Sequence, residues 1–206
     1  MKNARQALDA LIEGNRRFVA EVQDYGLQTE VRRRHRLVPR QEPFAIIIGC
    51  SDARVPAEII FDQGLGDLFV IRVAGNIIAP SQVGSVEFAV ERFGTPLVMV
   101  LGHSRCGAIE ATLEELERPS ENRSPNLRAI VDRVRPSVES LLEAGLQLDS
   151  DQMVEQAVRA NIRSSANQLR HGSEMLENLI DKKALLVVGA EYSLETGGVD
   201  FFDVDH

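Results

Sequence analysis

The residues best able to do chemistry fall in two short stretches. In "IIIGCSDARV" an apolar run from Phe44 to Ile48 stops at a glycine, and Cys50, Asp52 and Arg54 follow at intervals of two. In "VLGHSRCGAIEA" a second apolar run passes Gly102 and delivers His103 and Cys106. A thiol, a carboxylate and a guanidinium are each costly to bury without a partner, so each cluster must answer something elsewhere in the chain. Alternation by two lets Cys50 and Asp52 share one face of an extended segment. The His103-x-x-Cys106 spacing puts two side chains about one helical turn apart. Together they offer two thiolates, an imidazole and a carboxylate, a donor set that suits tetrahedral zinc. Sulfur and nitrogen donors disfavour magnesium and calcium.

Zinc with two thiolates and a neutral histidine is formally neutral, so ionising a bound water there needs help from neighbours. Arg54 can grip Asp52 through a bidentate, charge-assisted pair. Held away from the metal, Asp52 leaves the fourth position free for water or hydroxide and can accept a hydrogen bond from it. Released, Asp52 closes on the metal, which would make the pair a pH switch. Three other readings compete. A closed structural zinc site usually carries two Cys-x-x-Cys-like pairs, and here one half is Cys-x-Asp. A Cys50 nucleophile with His103 as base leaves Cys106 without a role. An inert pair of core cysteines leaves Asp52, Arg54 and His103 unsatisfied. No G-x-G-x-x-G opens a helix, so no dinucleotide fingerprint is present.

The elements that must position these clusters follow from periodicity. Phe44–Ile48, Leu68–Val73, Leu97–Leu101 and Leu185–Val188 are short continuous apolar runs, the pattern of strands buried on both faces. Val199–Phe202 is expected to be a short edge strand after the "ETGG" turn. Helical spacing runs from Ala4 to Val22, with Gly14 as an interruption of modest cost. It recurs in Val86–Phe93, Cys106–Leu116, Leu127–Ala144 (broken by Pro136), Asp151–Leu169 and Glu174–Ile180, with a helical turn at Pro56–Phe61. Residues from Gly26 to Arg40 are expected to be an irregular arm, and Glu117–Asn126 a loop. Strands alternating with helices predict an α/β fold with a mostly parallel sheet. Sites in such sheets form beyond the carboxyl ends of strands where strand order reverses, and both polar clusters sit at such ends.

A chain of 206 residues with ordinary apolar and charged fractions predicts one domain, 1–206, with residues 1–40 as a helical appendage. The net charge of −8 argues against general nucleic-acid binding. The basic run Arg32-Arg33-Arg34-His35-Arg36 is the local exception and is read as a solvated loop. No apolar run near the N-terminus is long enough for a signal or a membrane span, so a cytoplasmic, non-membrane protein is expected. In a reducing compartment two cysteines point to metal or catalysis before a disulfide.

With these residues in place, the sequence resembles the β-class carbonic anhydrases. The resemblance rests on "GCSDARVPAEIIFDQGLGDLFVIRVAGN", "SVEFAV", "VLGHSRCGAIEA" and, more loosely, the tail "LLVVGAEYSLETGGVDFF". It is strong over residues 41–115, and the two metal motifs together are highly specific. It implies reversible hydration of carbon dioxide to bicarbonate and a proton by zinc-hydroxide attack. One Zn2+ per subunit would be held by Cys50, His103 and Cys106, with Asp52 as alternative fourth ligand and Arg54 as its partner. It also implies a sheet of order 2-1-3-4 with an antiparallel fifth strand at its edge. The subunits would form a homodimer, often doubled to a homotetramer, with the N-terminal helix and arm packed on the partner subunit. By position it implies a substrate pocket of Gln41, Phe69, Ala74, Phe88 and the backbone N–H of Gly107. Phe88 stands where members commonly have tyrosine. Some members carry a non-catalytic bicarbonate site of tryptophan, arginine and tyrosine. Arg72 and Tyr192 match the last two, but Ile47 stands at the tryptophan position, so that site is expected to be missing. His35 would serve as a proton carrier only if it lay near the cleft. Two alternatives remain: a carbonyl sulfide or carbon disulfide hydrolase on the same scaffold, and a non-catalytic, zinc-stabilised bicarbonate-binding protein.

Overall fold

The computed structural model describes residues 2–23, 31–119, 124–145, 147–202 and 204. Its centre is a five-stranded sheet of β1 (Ala45–Gly49), β2 (Leu68–Arg72), β3 (Leu97–His103), β4 (Leu186–Tyr192) and β5 (Val199–Phe202). The order is β2-β1-β3-β4-β5, parallel throughout except for the antiparallel β4–β5 pair. This is the expected α/β architecture, with its reversal of strand order at β1. β1 and β3 are buried at every residue, which explains their unbroken apolar sequence. Alternate residues feed two cores. Ile46, Ile48, Val98 and Val100 face one layer of helices, while Ala45, Ile47, Leu97, Met99 and Leu101 face another.

The first layer is built from α4 (Pro80–Phe93), α5 (Gly107–Glu117), α6 (Pro125–Glu143), α7 (Ser150–His171) and α8 (Glu174–Asp181). The second is built from α1 (Ala4–Val19) and the single turn α3 (Ala57–Ile60). Helix α1 begins in a capping box, Asn3 with Gln6, and buries Ala7, Leu8 and Leu11 against its own sheet. Gly14 is more than an interruption. A Cβ there would meet the Phe61 carbonyl oxygen at 1.8 Å, so only glycine lets α1 lie this close to α3.

Three local expectations are corrected. Inside the stretch read as an irregular, solvated arm, Val31–Leu37 forms a short helix, α2; residues 26–30 lie outside the described residues. Arg33 anchors it, pairing with Asp67 and donating to the Leu65 carbonyl at 2.8 Å. Pro136 does not break α6, which runs unbroken from Pro125 to Glu143. One missing backbone donor is outweighed by burial of Val131 and Val134 before it and Val138 after it. Strands β3 and β4 also run longer than their apolar cores, to His103 and Tyr192. The ladder itself therefore carries His103 to its place. Of the loop expected over Glu117–Asn126, residues 120–123 lie outside the described residues, and α6 already begins at Pro125. No helix among the described residues is long and apolar enough to cross a membrane.

Candidate metal centre

β1 and β3 pair in parallel, Gly49 opposite Leu101, so their carboxyl ends release Cys50 and His103 side by side. Cys106 follows as the N-cap of α5. The Sγ atoms of Cys50 and Cys106 lie 4.0 Å apart. With a ring nitrogen of His103 they form a group whose ligand atoms are all within 4.8 Å of one another, and all three residues are buried. No disulfide joins the cysteines.

Backbone groups orient each ligand. His103 Nδ1 donates to the Ser104 carbonyl at 2.9 Å, which leaves Nε2 as the free lone pair. That Nε2 is fully buried and has no hydrogen-bond partner among the described residues. A buried imidazole nitrogen is seldom left so, and a cation held between it and the two sulfurs would account for it. Gly75 N–H donates to Cys50 Sγ at 3.3 Å. Gly75 sits at φ +68°, where a Cβ would crowd Ala108, and Asn161 Nδ2 donates to its carbonyl at 2.8 Å. Contact with Cys106, with smaller help from the nearby His103 and from the Gly75 N–H and opposed by burial, pulls the Cys50 thiol down to about 4. The same contact with Cys50, together with burial, pushes Cys106 up. A divalent cation between the two sulfurs would displace the protons they carry without it. Burial works against an imidazolium at His103, but the Cys50 sulfur, the Ser104 carbonyl and the Asp52 carboxylate together outweigh it and the balance lies above the usual range.

Asp52 stands outside this ligand group. Arg54 grips it with Nε to Oδ1 at 2.9 Å and Nη2 to Oδ2 at 2.7 Å, and the Arg54 backbone N–H adds a third bond to Oδ1. These bonds hold the Asp52 carboxyl well below the usual carboxylate range. Its Oδ2 is still only 3.9 Å from His103 Nε2. Arg54 Nη2 also reaches the Arg105 carbonyl at 3.4 Å. The pair is thus tied to the loop between the two ligands of β3 and α5.

The other positions named from sequence are spread more widely. Phe69, Phe88 and Phe93 form an aromatic cluster with centroids 5.7–6.4 Å apart, and Phe88 is 53% exposed. Ala74 opens the 3-10 turn that carries Gly75 to Cys50, and Gly107 is the first residue of α5. Gln41 lies on an exposed stretch, lining a surface cavity with Arg40, Arg92 and Phe93. His35 is exposed on α2. Arg72 donates from Nε to the Cys50 carbonyl at 3.0 Å and from Nη2 to that of Asp52. It therefore braces the first ligand loop, while the Tyr192 ring sits by Phe18 in the other core. Sequence reasoning did not find this role of Arg72, nor Asn161, nor Glu195. Glu195 carried only a turn signal, yet it reaches Ser104 and Arg105.

The carbonic anhydrase family model matches residues 45–199. A carbonic anhydrase of Mycolicibacterium smegmatis is 39% identical over 198 residues, covering 96% of this chain and 93% of that protein. Carbonic anhydrase 2 of Mycobacterium tuberculosis is 39% identical over 197 residues, covering 95% and 91%. Among solved structures, the β-carbonic anhydrase CcaA superposes with a TM-score of 0.77 at 26% identity over 95% of both chains. The likeness extends over nearly the whole length and takes in both ligand loops, and the chain belongs to the β-carbonic anhydrase family.

Proposed function

We propose that this chain catalyses reversible hydration of carbon dioxide to bicarbonate and a proton, with Zn2+ held by Cys50, His103 and Cys106. The observation that carries this is an acidic side chain held off a buried Cys-His-Cys group by a bidentate arginine. A purely structural metal site has no use for such a device. Zinc, when bound, supplies Lewis acidity that brings the pKa of a water toward neutrality. The protein's residues do the rest. Arg54 keeps Asp52 ionised and fixed, so Asp52 accepts a hydrogen bond from the attacking water and aims its lone pair. The apolar cluster of Phe69 and Phe88, with Ala74, offers a wall against which small, apolar carbon dioxide docks. Backbone N–H groups at the start of α5, Gly107 first, favour the negative product. Cys50 and burial push the Cys106 thiol up, and the backbone N–H groups of Ile109 and Ala108 work in the opposite direction.

Assembly into homodimers, or dimers of dimers, belongs to this proposal. Strand β2 is a half-buried edge of the sheet, and Phe88 presents an aromatic face to solvent. Residues 1–206 act as a single domain, with the segment up to residue 40 contributing to packing on the partner and Gln41 serving the pocket from there. A reducing, cytoplasmic setting keeps both thiols available to metal. Oxygen-isotope exchange between carbon dioxide and water, measured on protein with assayed zinc, tests the function. One zinc per subunit with rapid exchange is expected. Full zinc with no exchange, or with sulfide release from carbonyl sulfide alone, would overturn it.

A further inference from the structure

The loop between His103 and Cys106 is only Ser104 and Arg105, yet it carries two of the contacts on which the centre depends. The Ser104 carbonyl accepts from His103 Nδ1, and the Arg105 carbonyl accepts from Arg54. The loop is not at rest by itself. Arg105 stands at φ +52°, a left-handed conformation that a residue with a Cβ adopts at a cost of about 1–2 kcal/mol. Something must hold it.

We propose that Glu195, in the turn between β4 and β5, is a positioning residue that clamps this loop and so orients both the His103 imidazole and the Arg54–Asp52 pair. Its Oε2 accepts from Ser104 Oγ at 2.8 Å, and its Oε1 accepts from Arg105 Nε at 2.9 Å. Ser104 Oγ in turn accepts from Leu194 N–H at 2.9 Å, and Ser104 N–H donates to the Tyr192 carbonyl at 3.0 Å. The loop is therefore stapled to the far end of β4 by four bonds, two of them through one carboxylate. That carboxylate is itself steadied by Ser193 Oγ at 3.3 Å. Asn15 holds the turn from behind, donating to the Gly197 carbonyl at 2.9 Å and accepting from Val199 N–H at 2.9 Å. The Arg105–Glu195 pair is more than half exposed on both sides, and such pairs add little to global stability. The clamp is thus poorly explained as a stabiliser of the fold and well placed as a fixer of geometry.

The inference rests on the metal reading, and the test separates the two. Cobalt(II) replaces zinc in the wild type and in Glu195→Ala, Glu195→Gln and Thr196→Ala, and its ligand-field and thiolate charge-transfer bands report the ligand geometry. Zinc affinity is measured against a competing chelator, and carbon dioxide hydration is followed for kcat and KM. In Glu195→Ala the bands should shift, zinc affinity should fall about 10–100-fold, and kcat should fall more than KM rises, with the thermal stability of the metal-free protein close to wild type. Glu195→Gln keeps an acceptor and should lie between wild type and Glu195→Ala. If the alanine variant does not fold, the glutamine variant decides alone, an intermediate loss supporting the clamp and wild-type behaviour overturning it. Thr196→Ala loosens the same turn, where Thr196 Oγ1 accepts from Gly198 N–H at 3.2 Å, without touching the clamp, and should keep wild-type bands. Unchanged bands and affinity in both Glu195 variants, or an equal shift in Thr196→Ala, would overturn this inference alone. A wild type that takes up no cobalt overturns the metal reading and the clamp with it.

Discussion

Among single side chains, variants of Cys106 and Arg54 are expected to separate holding the proposed metal from using it. The Cys106 sulfur lies 4.0 Å from that of Cys50 and is almost wholly buried. Replacing it with serine removes a thiolate that nothing nearby can supply. Cys106→Ser is expected to lose bound zinc and activity together, read by metal analysis and isotope exchange on one preparation. Arg54 touches no ligand atom of the Cys-His-Cys group; it touches Asp52. In Arg54→Ala the carboxylate is released 3.9 Å from His103 Nε2 and is drawn toward the cation. The variant is expected to keep zinc while turnover falls at least about 10–100-fold. Full turnover would remove Arg54 from the mechanism. The types and spacing of these five residues were legible in the sequence because metal chemistry depends on donor identity. Their braces, Arg72 and Gly75 N–H, were not legible, because a bond to a backbone carbonyl or from a backbone N–H leaves no mark on residue type.

Among elements, α1 shows how a local rule is overridden. Helix propensity alone predicts that Gly14→Ala gains about 1 kcal/mol. Contact with the Phe61 carbonyl predicts the opposite, because that oxygen is backbone and cannot step aside. We expect Gly14→Ala to destabilise the protein by about 1–3 kcal/mol, measured as a lower denaturant midpoint with an unchanged slope. A gain in stability would mean that α1 does not lie against α3 as described. Gly102 plays a similar part nearer the site. A Cβ there would meet Ile162 Cδ1 at 2.4 Å, so its absence lets α7 press on β3 just before His103. The sequence marked both glycines but offered no reason for either.

At the level of the whole molecule, the proposed metal and the proposed partner surface are the two terms that a single subunit would leave incomplete. A cation that binds the folded centre and not the unfolded chain stabilises by mass action. Chelation should therefore lower Tm, and restoring zinc should raise it in proportion to the logarithm of its free concentration. A Tm indifferent to zinc would contradict a buried metal centre. Phe88, 53% exposed beside Phe69 and Phe93, is the largest aromatic surface left uncovered on α4. Burying such a side chain is worth about 1.5–3 kcal/mol. Phe88→Arg should shift sedimentation toward the monomer, and an unchanged assembly would place the interface elsewhere.

The sequence by itself determined the donor set, the α/β class and the positions of both ligand loops. Each depends on residue chemistry or on periodicity within a few neighbours, and both survive as patterns along the chain. Only the tertiary structure decided what depends on approach between distant segments. It brought Glu195 to the Ser104–Arg105 loop some 90 positions earlier. It made a helix of Val31–Leu37 by giving Arg33 a partner in Asp67. It carried α6 through Pro136 because the valines on either side were already buried. In each case the deciding energy came from packing or pairing across the fold, and no local spacing encodes which remote group will arrive.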